Sequence, residues 1–144
     1  MSRLTLKEAN IIVGESLAKA REMKIKPLCV VVVDDSGNVV AAQREDGASM
    51  FRFDVALGKA WASVAMSASS RALANRAKAN PNFFMTLANT AKGKFLPQPG
   101  AVLIRDAQGA ILGAAGASGG TGEEDEEACA HGVTKAGLTA DAAP

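Results

Sequence analysis

A chain of 144 residues is the size of one ordinary domain, and with 48% hydrophobic residues it can bury a core without disulfide or metal staples. Its formal net charge of +1 removes the electrostatic case for a nucleic-acid partner, because phosphate-binding domains carry a basic excess. Aromatic residues make up only 4%, so Ala, Gly and β-branched side chains must build the core, with helices lying close to what they cover.

From the start, Met1 to Thr5 lack the long apolar stretch of a signal peptide, and no later run approaches the ~18 residues of a membrane span. A cytoplasmic protein without a membrane partner is expected. Thr5 and Glu8 form a capping box, and Leu6, Ala9, Ile12, Val13, Leu17 and Ala20 recur at helical spacing towards an end near Met23-Lys24. Leu28 to Val33 is a β-branched run of the kind buried on both faces of a sheet. The turn Asp34 to Asn38 and the apolar Val39 to Ala42 complete a hairpin over Leu28 to Arg44.

A second turn, Glu45-Asp46-Gly47-Ala48, precedes a long helix from Asp54 to Ser69, with Val55, Ala56, Ala60 and Val64 inward. Ser70 to Lys92 reads as helical pieces broken at Asn80-Pro81, and Pro97 to Gly100 as a loop. Ala101 to Ile104 and Ala110 to Gly113 flank a turn and make a second hairpin. A Gly-rich loop leads to a last helix, Gly122 to about Gly137, and the tail from Leu138 is expected to fray. Two hairpins with helices between them imply an α+β domain on an antiparallel sheet, spanning 1–140, with 141–144 as loose tail. Cys29 and Cys129 stand apart in apolar or small-residue runs without zinc spacing, and read as buried free thiols suited to a reducing compartment.

Three segments together resemble the GlcG/HbpS/PduO C-terminal domain family (DUF336). They are Val32 to Gly37 followed by Glu45-Asp46-Gly47-Ala48, then Gly58-Lys59-Ala60, and finally Gly113 to Gly120 with Asp125 and Ala128-Cys129-Ala130. The resemblance implies a profilin-like fold, a five-stranded antiparallel sheet with flanking helices, and assembly into dimers or larger rings. It also implies a small-molecule or tetrapyrrole ligand, since several members bind haem. Where members carry Gly-Gly-x-Pro before the second hairpin, this chain has Gly100-Ala101-Val102-Leu103.

The candidate ligand-binding residues are Asp46, Arg52, Lys59, Gly100, Ser118, Gly119 and Asp125. Lys59 sits among small residues and Trp61; it is either an acid–base group or one half of an ion pair between subunits. Arg52 stands beside Met50, Phe51 and Phe53, a cation next to an apolar wall that suits a haem propionate or a small organic acid. His131, the one histidine, falls opposite Asp125, Cys129 and Gly132 on the last helix. With Glu127 it forms a candidate cation pair, or else part of a solvated or subunit-facing surface. The run Glu123 to Glu127 complements the helix macrodipole, with a divalent-cation site as the alternative.

Three functions follow. The first is a haem- or tetrapyrrole-binding protein ligated by something other than a buried histidine. The second is an enzyme acting on a small carbonyl or carboxylate metabolite, with Lys59 and Asp46 or Asp125 as acid–base groups. The third is a regulatory or assembly subunit. The pocket is expected where the Asp46 turn, the Lys59 helix and the Ser118 loop meet.

Overall fold

The computed structural model describes residues 3–144. Ten elements follow one another: α1 (Leu6–Met23), β1 (Cys29–Asp34), β2 (Val39–Arg44), α2 (Phe51–Met66), α3 (Ser70–Ala79), α4 (Pro81–Thr90), β3 (Ala101–Arg105), β4 (Ile111–Ser118), α5 (Gly122–Lys135) and β5 (Thr139–Asp141). The strands form one antiparallel sheet in the order β2-β1-β4-β3-β5, the five-stranded α+β architecture that the resemblance implies.

Alternation along β1 explains why its sequence is apolar throughout. Val30 and Val32 face α1 and α5, in a core shared with Ile12, Val13, Val102, Ile104 and Val133. Cys29, Val31 and Val33 face α2, with Ala56, Ala60, Leu103 and Ala114. Both faces of the strand are therefore dry. Both thiols are buried, and burial pushes each of them up from the ordinary range. The small residues let the layers approach closely. A Cβ at Gly132 of α5 would stand 2.4 Å from the Ile12 carbonyl oxygen of α1, and one at Gly116 of β4 would stand 2.4 Å from the Ala56 carbonyl oxygen of α2.

Two expectations need correction. The helix read as Asp54 to Ser69 starts at Phe51 and stops at Met66. Ser67 turns left-handed (φ 51°), and the Ser69 hydroxyl accepts from the Ala72 N–H at 3.1 Å, which starts α3. Ala56 and Ala60 are buried as read, whereas Val55 and Val64 are only half-buried. The tail does not fray at Leu138: Thr139 to Asp141 pair with β3, and the Ser69 hydroxyl donates to the Ala143 carbonyl oxygen. Arg105 holds the Asp141 carboxylate at 2.9 Å, a long-range ion pair that local pattern does not reveal.

The Ala143 N–H, and after it Arg105, hold the Asp141 carboxyl below the usual carboxylate range. A depressed folded-state value stabilises above the unfolded value and loses that contribution as pH falls through the folded one. Asp141→Asn is expected to cost under ~1 kcal/mol at neutral pH, because solvent screens the pair. In thermal melts, the gap from the parent should close as pH drops from about 4 towards about 2. A gap that ignores pH would assign the loss to strand pairing alone.

Candidate functional site

The end of β4 and the loop after it are held by side chains from three directions. On α2, Arg52, Ala56, Lys59 and Ser63 recur at helical spacing and turn towards the sheet. Lys59 Nζ donates to the Ala117 carbonyl oxygen at 2.9 Å and to Asp125 Oδ2 at 3.2 Å. Arg52 Nη1 donates to Ser118 Oγ at 2.9 Å. The Gly120 N–H donates to Asp125 Oδ1 at 3.0 Å. Lys59 is 6% exposed and Asp125 1%, so the pair is a buried salt bridge within one chain, and Lys59 has no need of a partner from another subunit. Burial pushes the Asp125 carboxyl up; the Lys59 charge and the Gly120 N–H pull it back without cancelling that effect.

Gly100 completes this cluster. Its φ of +128° is a glycine conformation, and a Cβ there would stand 2.6 Å from Lys59 Nζ. Buried Ser70 fixes the turn: its hydroxyl accepts from the Gly100 and Ala101 N–H groups at 3.1 and 2.8 Å and donates to the Ala101 carbonyl oxygen at 2.8 Å. Sequence reasoning did not single out Ser70, whose partners lie thirty residues away.

Asp46 does not join them. It stands exposed in the Glu45–Ala48 turn, and that turn borders instead a groove of about 390 Å³ lined by Lys26, Pro27, Gly47, Ser49, Arg52 and Gly119. The expected meeting of three segments thus occurs for the Lys59 and Ser118 segments, while the Asp46 turn contributes its backbone neighbours.

The acidic run disperses around α5. Glu124 closes a capping box with Thr121, Asp125 pairs with Lys59, and Glu126 takes a two-pronged contact from Arg71 at 2.6 and 3.2 Å. Glu123 and Glu127 are exposed. His131 lies half-buried at the α1 seam, its Nε2 3.9 Å from Glu15 Oε2, so its neighbour is α1 of the same chain. Among the described residues no three His, Cys, Asp or Glu side chains gather as a metal site, so neither the Glu127–His131 pair nor the acidic run gains support as one.

A larger pocket, of about 600 Å³, opens on the other side of the first turn of α2. Val39, Phe51, Leu57 and Trp61 give it apolar walls, and Lys92 and Lys94 stand at its rim with Asp54. Gly37 and Gly58 shape it. A Cβ on Gly37 would meet the Trp61 ring at 2.8 Å, and one on Gly58 would meet Leu96 at 2.9 Å. Of this lining, sequence reasoning singled out Phe51 alone, as part of an apolar wall beside Arg52. The available signal was the helical spacing of Phe51, Leu57 and Trp61 with Asp54 between them, half-buried or exposed side chains on one stripe of α2.

Comparison with protein families matches residues 4–134 to the family described as haem degrading protein HbpS-like. Among solved structures, the PduOC–haem complex shares the fold, with a TM-score of 0.85 at 21% identity, over 97% of this chain and 99% of that one. HbpS of Streptomyces reticuli, solved as a double mutant, gives 0.81 at 28% identity over 93% and 87%. The Klebsiella pneumoniae protein ORFY, a DUF336 protein, gives 0.84 at 24% identity over 95% and 93%. Comparison with curated proteins gives no significant match.

Proposed function

We propose that this chain, which belongs to the HbpS-like family, binds haem or a related tetrapyrrole in the pocket walled by Phe51, Leu57 and Trp61. The observation that carries this reading is the pairing of an apolar wall with two lysines that no ion pair among the described residues engages, which outnumber Asp54 at the rim. A volume of about 600 Å³ falls within the ordinary range for ligand pockets. The wall fits a macrocycle face, and Lys92 and Lys94 fit its two carboxylates. No histidine, cysteine or methionine lines the pocket, so the lining itself offers the iron none of its usual side-chain ligands. When bound, haem supplies an iron centre for one-electron and O₂ chemistry.

The acid–base alternative keeps Lys59 with Asp125 as its pair, without Asp46. The observation that favours the haem reading over it is that this pair lies buried behind the β4 loop, 6% and 1% exposed, whereas the Trp61 pocket is open. Self-association into a dimer or larger stays part of the proposal, supported by the exposure of Met50 (85%), Phe51 (59%) and Met85 (67%). No helix among the described residues is long and apolar enough to cross a membrane.

Hemin titration followed by absorbance and tryptophan emission tests the site, since Trp61 is the only tryptophan. A shifted Soret band and loss of most Trp61 emission are expected together, with a Kd on the order of micromolar or below. Lys92→Glu with Lys94→Glu should weaken binding about tenfold by replacing attraction with repulsion at the rim. His131→Ala should leave most of the Soret shift in place. A Soret shift with Trp61 emission intact would move the haem elsewhere, and no Soret change would end the haem reading.

A further inference from the structure

Among the described residues no carboxylate answers the charge of Arg52, whose guanidinium carbon stands 5.9 Å from the centroid of the neighbouring Phe51 ring. Arg21, Arg71 and Arg105 each meet a carboxylate, at 2.9, 2.6 and 2.9 Å. None of the ion pairs among the described residues includes Arg52. Two neutral hydroxyls hold it instead: Nη1 donates to Ser118 Oγ at 2.9 Å and Nε donates to Ser49 Oγ at 3.4 Å. A guanidinium carries five N–H groups, so both on Nη2 and one on Nη1 are left over by these contacts. Serines aim the fork without neutralising it. From the structure we infer that the groove bordered by Lys26, Gly47, Ser49, Arg52 and Gly119 is a binding site for the carboxylate of a small organic acid, separate from the Trp61 pocket.

The groove's own chemistry supports this. Its lining contains two cations, Lys26 and Arg52, and no carboxylate. Of the nearest acids, Glu45 and Glu124 are engaged and Asp46 is open to solvent. Glu45 receives Arg21 at 2.9 Å and the Leu28 N–H at 2.8 Å, and Glu124 accepts from the Thr121 N–H at 2.8 Å. A planar carboxylate matches the two outer prongs of a guanidinium. Phosphate would meet the same two cations, but its tetrahedral oxygens lack the planar match to the fork, so inorganic phosphate is the comparator that decides the assignment. The floor is rigid as well. Gly119 (φ +142°) packs so closely that a Cβ would stand 2.2 Å from the Pro27 carbonyl oxygen, and the adjoining Gly120 N–H is tied to Asp125. A groove of about 390 Å³ admits a metabolite-sized acid, at the small end of the usual range of ligand pockets.

Amide NMR of the intact chain, titrated with succinate, tests the inference, with dimethyl succinate and inorganic phosphate as comparators. Succinate is expected to shift the Ala48, Ser49 and Gly119 amides to saturation, and dimethyl succinate to leave them unmoved. Arg52→Gln should weaken succinate at least about tenfold, and Arg52→Lys about threefold, because the charge is kept and the fork lost. Both variants should stay folded with a cooperative melt within about 5 °C of the parent, the loss reflecting the bond to buried Ser118. Equal succinate affinity in Arg52→Gln would overturn the site. Saturating shifts of the same amides by phosphate with equal or higher affinity would overturn its assignment to carboxylates.

Discussion

Replacing Lys59 with methionine is expected to lower the melting temperature by about 10 °C at pH near 8, which corresponds to roughly 3 kcal/mol in a chain of this size. Methionine keeps the length of the side chain, so the loss comes from leaving the Asp125 carboxylate buried without its cation. That carboxyl is already pushed up by burial, and without Lys59 it rises further. A raised folded-state value means that the native form binds the proton more tightly than the unfolded chain, so stability falls as pH rises through it. The Lys59→Met deficit should therefore shrink as pH falls into the acid range and the orphaned carboxyl takes up a proton. Asp125→Asn leaves a buried ammonium instead, and acid gives it no relief, so its deficit should persist over the same acid range. If both variants showed the same pH-independent deficit, or if Lys59→Met melted with the parent, the buried ion pair would not be what holds the β4 loop to α2 and α5.

The second large effect is expected at Gly116, where the only change is one methyl group. In Gly116→Ala the new Cβ would stand 2.4 Å from the Ala56 carbonyl oxygen and 3.2 Å from the Ala60 nitrogen, both backbone atoms of α2. Backbone cannot rotate aside, so the helix must lift from the sheet at a cost of about 3 kcal/mol. Circular dichroism melts should show a drop of about 10 °C. Because α2 carries both Trp61 and Arg52, hemin quenching of Trp61 and succinate binding should weaken together. Parent-like melting would mean that α2 sits further from β4 than the described packing.

Much of the fold was legible because it is written locally. Thr5 with Glu8 and Thr121 with Glu124 announce α1 and α5 within four residues each, and both capping boxes are formed. The run Cys29 to Val33 predicts its own two-faced burial, and the turns at Asp34 and Asp106 place both hairpins. What escaped depends on partners far along the chain. Arg71 finds Glu126 across 55 positions, Ser70 finds Ala101 across 31, and the Ser69 hydroxyl reaches Ala143 across 74. No spacing rule covers such distances, so the tail read as loose and Ser70 as one more helix residue. The site was half legible for the same reason. Lys59, Asp125, Gly100, Arg52 and Ser118 were singled out, but which of them pair, and that Asp46 stays outside, is decided by how α2 crosses the sheet. The Trp61 pocket needed Lys92 and Lys94 brought against α2, a contact fixed by the Leu96 N–H donating to the Gly58 carbonyl oxygen.

The near-absence of side-chain bulk along β4 makes the molecule vulnerable in one direction only. From Gly113 to Ser118 the strand presents glycine, alanine and serine alone, paired with β1 on one side and β3 on the other. Truncation, the usual way a core is damaged, has almost nothing there to remove. Growth meets carbonyl oxygens of Val33 and Ala56 within 2.4 Å. Chance mutation at the centre of this sheet therefore does harm mainly by addition, and variants that survive there should be drawn from the few smallest residues, whatever ligand the protein has come to hold.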